Sequence, residues 1–159
     1  MPDVCIRPPE KRDFVEWSKL WESYNSFYGR EGGTALSNIV VGTTWERIHR
    51  DDEPIHAFLA ERGNELVGLV HYIFHRNMLQ VEDTCYIQDL FVSRGLRGTG
   101  VGEFLIDATK EKCRKQGVHD IYLHTHHENQ AARLLYKKVA RDTGFIVYRS
   151  STKASRETA

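Results

Sequence analysis

The chain has 159 residues, 40% of them hydrophobic, and its 22 basic and 22 acidic side chains cancel. That suits one domain with a single substantial core, and it leaves no electrostatic footprint for nucleic acid and no basic helix for a membrane surface. Three widely spaced cysteines without a C-x-x-C pair, and no N-terminal signal region or long apolar run, point to reduced thiols in a cytoplasmic protein rather than to secretion or membrane spanning.

Residues 4–7 read as a short first strand, stopped by Pro8 and Pro9. Phe14, Trp17, Leu20, Trp21, Tyr24, Phe27 and Tyr28 then recur at helical spacing, and the glycines from Gly29 to Gly33 break that helix. Thr43 or Thr44 is the expected cap of a short second helix running through Arg50. Residues 57–60 and 66–74 read as two strands joined by a turn at Arg62, Gly63 and Asn64. The second is apolar on both faces, as a central strand covered by helices on either side would be.

A strand over 85–92 leads into a glycine-rich turn. The helix after it, over about 100–116, sets Val101, Phe104, Leu105 and Ala108 on one face and stops at Gly117. A strand over 121–124, a helix over 129–139 with Ala132, Leu135, Tyr136 and Val139 facing inward, and a last strand over 145–148 complete the pattern. Residues 1–149 read as a single domain and 150–159 as a polar, disordered tail. The order β-α-α-β-β-β-α-β-α-β describes a mixed α/β fold.

The glycine-rich turn carries most of the chemistry. Apolar strand residues end, a basic turn follows, and an amphipathic helix begins at once. Backbone N–H groups then converge on one spot in front of a helix's positive end, a ready site for a pyrophosphate. A P-loop would place a Lys and a Ser or Thr after its last glycine, but Glu103 and Phe104 follow Gly102. A dinucleotide fingerprint fails too, because Glu103 stands where its last glycine belongs. What remains is R-x-x-G-x-G, formed by Arg97, Gly98, Thr99, Gly100, Val101 and Gly102.

In this setting the sequence resembles the GCN5-related N-acetyltransferase (GNAT) superfamily. The resemblance extends over about residues 6–149 and is carried by four stretches: 43–47, 71–76, 89–102 and 129–149. The ending L-Y-K-K-V-A, then G-F-I-V-Y-R, looks like the HPA2-like histone/polyamine acetyltransferase branch, with diamine acetyltransferases more distant. The resemblance implies a mixed, mostly antiparallel central sheet flanked by helices on both faces, acetyl-CoA as the acetyl donor, and assembly as a homodimer or higher homo-oligomer. It implies that residues 97–102 bind the pyrophosphate and that Leu90, Phe91 and Val92 hold the pantetheine arm and the acetyl group. It also implies that Asn129 contacts the pantetheine and that Tyr136 protonates the departing thiolate. A tyrosine of ordinary pKa is protonated at neutral pH and can act as that acid.

The general base is the point of departure. HPA2-like proteins and diamine acetyltransferases usually read Glu-Asp before the apolar triplet, whereas this chain has Gln88 and Asp89. An amide cannot take a proton, so Gln88 is left to position the amine or hold a water. Asp89 is the remaining acid here, but along a regular strand it points away from Gln88's face unless a bulge intervenes. Water relayed to Glu82, Asp89 or a nearby histidine is an alternative, and the role stays open.

His71 and His75 share a face of the central strand and read first as satisfied structural histidines. The run His124-Thr125-His126-His127-Glu128 lacks the Asp and the His a hydrolase metal motif needs, so no metal is expected. Tyr24, Tyr28 and Trp45 lie toward the loop that closes over the acceptor in this superfamily, and an aromatic wall suits a cationic amine. The expected activity is direct acetyl transfer to a primary amine of a polyamine or amino acid. A lysine or histone substrate, and a non-catalytic acetyl-CoA-binding sensor, are the alternatives.

Overall fold

The structure, a computed structural model, describes residues 3–153, so residues 154–159 of the expected tail lie outside the described residues. The chain divides into two compact units, one running to His126 and the other beginning at His127.

The first unit is built on a five-stranded sheet: β1 (Cys5–Arg7), β2 (Ile55–Arg62), β3 (Glu65–His75), β4 (Thr84–Val92) and β5 (Asp120–Leu123), side by side in that order. The first three pairings are antiparallel and β4 with β5 is parallel. The mixed, mostly antiparallel sheet expected from the sequence is therefore present. A hairpin needs only a tight turn, here with Gly63 at φ 61°, whereas the parallel pair needs a crossover, supplied by α3 (Val101–Lys115).

Helices α1 (Phe14–Phe27) and α2 (Asn38–Ile48) pack on one face of the sheet, where Trp17, Leu20, Trp21 and Tyr24 meet Leu59 and Leu69. On the other face, Val101, Leu105 and Cys113 of α3 meet Val70, Tyr72, Cys85 and Ile87. Arg7 ties the start of α1 to the sheet by pairing with Asp13 (2.7 Å) and with Glu61.

Helix α2 begins five residues before the cap expected at Thr43. Ser37 caps it, its hydroxyl accepting from the Val40 N–H (3.3 Å). Gly42 lies inside the helix, and the low helix propensity of glycine hid the continuity of the pattern.

In the second unit, α4 (Gln130–Val139) is capped by Asn129, whose Oδ1 accepts from the Ala132 N–H (3.2 Å). Ala132, Leu135, Tyr136 and Val139 form its half-buried stripe, as the periodicity predicts. The strand expected over 145–148 is not formed. Among the described residues, Phe145, Ile146, Val147 and Tyr148 join no ladder, and all four are exposed. Alternation alone does not make a strand, because its backbone hydrogen bonds must come from a neighbour. No helix among the described residues is long and apolar enough to cross a membrane.

Candidate active site

The site is centred on β4, where two irregularities coincide. The first is a bulge: His71 pairs with Asp89 but Tyr72 pairs with Ile87, so Gln88 has no partner on β3. An extra residue in one strand reverses the sidedness of the residues after it. Asp89 and Phe91 thereby join the α1 face, while Leu90 and Val92 pack with the α3 cluster. The bulge that the sequence reading required for Asp89 is present. Gln88 is left exposed, its carbonyl accepting from the Tyr24 hydroxyl (3.4 Å).

The second irregularity is a splay. β5 follows β4 only as far as the pair Ile87 with Leu123, while β3 continues alongside to Val92. From Gln88 to Val92, then, one edge of β4 joins no ladder among the described residues. Such an edge can accept an extended, amide-bearing ligand as an extra strand would be accepted. Leu90, Phe91 and Val92 all lie on it.

Directly after this edge comes the glycine turn. Gly98 (φ 76°) and Gly100 (φ 95°) are left-handed, and nothing stands within 4 Å of a Cβ built at either. Glycine is needed there for the backbone conformation rather than for space. The first hydrogen bond of α3 runs from the Phe104 N–H to the Gly100 carbonyl (3.0 Å), so the amides of Val101, Gly102 and Glu103 have no acceptor within the helix. These amides and the helix dipole fit a pyrophosphate. Thr99 closes the turn by donating to the Leu96 carbonyl (2.7 Å). Arg97 donates from Nε to the Val92 carbonyl (3.0 Å) and lies over Phe27 and Phe91. The Val101 side chain is fully buried, so its part in the turn is played by its backbone.

Beneath the bulge lies a buried polar chain. The Trp17 indole donates to His71 Nε2 (2.8 Å), which leaves the His71 proton on Nδ1; Nδ1 in turn donates to Asp89 Oδ2 (2.8 Å). Trp21 donates to the same oxygen (3.1 Å). His71 and Asp89 are 4% and 5% exposed, and a carboxylate so buried is tolerable only with donors of this kind. Burial pushes the neighbouring Tyr24 hydroxyl well above the usual tyrosine range, and the Asp89 charge adds to this.

The sequence reading placed Trp17 and Trp21 on a helix by their spacing and missed the part played by their N–H groups. The signal was the four-residue spacing of Trp17 and Trp21, which puts both indoles on one face of α1. His75, at the end of β3, donates to the Arg76 carbonyl (2.8 Å) and accepts from Tyr122 (2.9 Å). Tyr28 packs on Tyr24 with centroids 5.0 Å apart. Trp45 packs on Trp17 at 4.7 Å, within the α1–α2 core. In the second unit Asn129 caps α4, and Tyr136 lies on the half-buried stripe of that helix.

Residues 17–140 match the family model described as Acetyltransferase (GNAT) family. The chain is 32% identical over 149 residues to the D-amino-acid N-acetyltransferase HPA3 of Saccharomyces cerevisiae, a match covering 92% of this chain and 89% of that protein. Among solved structures, the ribosomal-protein-alanine N-acetyltransferase from Brucella melitensis has a TM-score of 0.73 at 20% identity, covering 93% of this chain and 98% of the other. The aminoglycoside acetyltransferase AAC(6')-Iy in complex with a CoA bisubstrate analog has a TM-score of 0.79 at 16% identity, covering 94% and 99%. At these identities the two structures establish a shared fold. The family match spans most of the sheet, the glycine turn and α4, and on it the chain belongs to the acetyltransferase (GNAT) family.

Proposed function

We propose that the chain transfers an acetyl group from acetyl-CoA directly to a primary amine of a small molecule, a polyamine or an amino acid. The observation that carries this reading is the free edge of β4 running straight into the glycine turn. An edge for amide pairing beside an anion cradle matches a ligand with a pantetheine arm and a pyrophosphate. When bound, acetyl-CoA supplies an activated thioester.

The amides of Val101, Gly102 and Glu103, with Gly98 and Gly100 shaping the turn, hold the pyrophosphate. The edge of Leu90, Phe91 and Val92 fixes the arm and directs an N–H at the acetyl oxygen, where charge develops. Asp89 takes the proton that the amine loses, relayed through the Tyr24 hydroxyl or a water, which replaces the glutamate that Gln88 does not provide. Gln88 and Tyr28 position the amine, and Trp45 supports the wall. Tyr136 protonates the departing thiolate, with Asn129 on the pantetheine.

The family match runs across the boundary between the two units, which supports one acetyltransferase domain over 1–149. The exposed apolar run of Phe145 to Tyr148 supports self-association as a dimer or higher oligomer, and three cysteines free of disulfides support a cytoplasmic setting. Balanced charge favours a small acceptor over a histone, a nucleic acid or a membrane.

The test is CoA release from acetyl-CoA over a panel of polyamines, L- and D-amino acids and a lysine-rich peptide. Release with a small amine is the expected result. Release with the peptide alone contradicts the acceptor class, and silence from a protein that binds acetyl-CoA tightly supports a sensor instead.

A further inference from the structure

Arg30 stands where the chain leaving α1 turns back on itself, and it is held from several sides. Its backbone N–H donates to the Asn25 carbonyl (2.9 Å) and its Nε to Asn25 Oδ1 (2.7 Å). Asn25 is almost wholly buried and is fixed in turn by donating to the Trp21 carbonyl (2.9 Å). The guanidinium lies over the rings of Tyr24 and Tyr28, its Cζ 5.9 and 5.5 Å from their centroids. Such a group has given up much of its rotamer freedom before a ligand arrives. Among the described residues, nothing accepts a hydrogen bond from its two terminal nitrogens, which form the fork that matches a carboxylate.

The same side chain lines a cavity of about 740 Å³ that reaches Phe91 on the free edge and Arg94 and Arg97 of the glycine turn. The carboxylates on that cavity are Glu22 and Glu31, the latter accepting from the Ser26 hydroxyl and the Thr34 N–H, and three guanidiniums stand against the two of them. Tyr24, beneath the Arg30 guanidinium, reaches the Gln88 carbonyl with its hydroxyl. One tyrosine side chain thus separates a fixed cation from the bulge at which the amine is to react. An α-amino acid can bridge that gap with its two ends. A polyamine would bring a second cation up to a guanidinium.

We infer that Arg30 binds the carboxylate of the acceptor and that the acceptor is an amino acid. This rests on the N-acetyltransferase reading above and narrows its substrate class. The cofactor's pyrophosphate is assigned on that reading to the amides of the glycine turn and the start of α3, so it does not call for Arg30.

The experiment compares each amino acid with the amine left by removing its carboxylate, such as both enantiomers of phenylalanine against phenethylamine. The kcat/KM for CoA release is measured in the wild type, Arg30→Lys and Arg30→Gln. The wild type is expected to favour the amino acid by about tenfold or more, the worth of a charge-assisted hydrogen bond. Arg30→Gln collapses that ratio through the amino acid's KM, and Arg30→Lys keeps part of it. An amine used as well as its amino acid, or an Arg30→Gln loss that falls on the KM of acetyl-CoA, overturns the inference and leaves the N-acetyltransferase reading standing. No release with any acceptor, from folded protein that binds acetyl-CoA, overturns both.

Discussion

His71 donates its Nδ1 proton to Asp89 Oδ2 at 2.8 Å, and the two residues pair at the point where β3 and β4 slip register. The bulge turns Asp89 onto the α1 face, where Trp21 also donates to its Oδ2 (3.1 Å). His71 cannot reverse its tautomer, because the Trp17 N–H occupies Nε2. One carboxylate oxygen is therefore fixed by two N–H groups.

Replacing His71 tests that arrangement. His71→Leu strands Asp89 with one donor, and kcat is expected to fall by about tenfold or more at little change in the KM of acetyl-CoA. His71→Gln, whose amide can still donate, is expected to recover part of the loss. Equal kcat in the two variants would mean that His71 only fills space.

Asp89→Asn removes the proposed proton acceptor while keeping its shape. A fall in kcat of about 10²–10⁴-fold is expected, with acetyl-CoA affinity by calorimetry retained. Tyr136→Phe is expected to behave likewise, since only the hydroxyl proposed as the acid is lost. Turnover within twofold of the wild type would remove the role of whichever residue was changed.

The cradle makes a different demand. Gly100→Ala forces a side chain onto a φ of 95°, at an expected cost of about 1–2 kcal/mol in stability and a weaker hold on acetyl-CoA. Gly95→Ala, in the same loop with open space around its Cβ and no left-handed φ, is the control and should do neither. Urea unfolding and calorimetric titration of both variants make the comparison.

Gly68 is needed for space instead. A Cβ there would stand 3.0 Å from the Phe91 carbonyl oxygen and 3.2 Å from Leu105 Cδ1. Gly68→Ala should cost about 1–3 kcal/mol and, by pushing the end of β4, raise the KM of acetyl-CoA. An unchanged KM would show that the edge of β4 tolerates displacement.

Two buried tyrosines give a pH signature. Burial holds the hydroxyls of Tyr24 and Tyr72 protonated well past the ordinary tyrosine value of about 10. The unfolded chain releases those protons first, so above that pH the folded state binds more of them and stability falls as pH rises. Tyr72→Phe should flatten the decline measured by urea unfolding between about pH 8 and about pH 11; an unaltered slope would contradict the assignment.

Much of this was legible in the sequence, and the reasons differ by element. Trp17 to Tyr24 at helical spacing gave α1, and the glycines of the turn gave the cradle, because both depend on local rules. The start of α2 was not legible, since Gly42 broke its pattern and Ser37 lay outside the window that the pattern suggested. The strand expected over 145–148 failed for another reason, because a strand's stability belongs to its neighbour. At the site, the sequence could state that Asp89 needed a bulge but could not supply one, since register is set between strands. Nor could it foresee that Trp17 and Trp21, apolar by composition, would aim their N–H groups at His71 and Asp89. That required β3, β4 and α1 to be in place together.

The central claim is direct transfer from acetyl-CoA to an amine, and initial rates with both substrates varied test it most directly. Intersecting double-reciprocal lines, with one N-acetylated product formed per CoA released, are predicted. Parallel lines with an acetylated protein trapped in the absence of acceptor would contradict it, because they would place a covalent acyl-enzyme on the path.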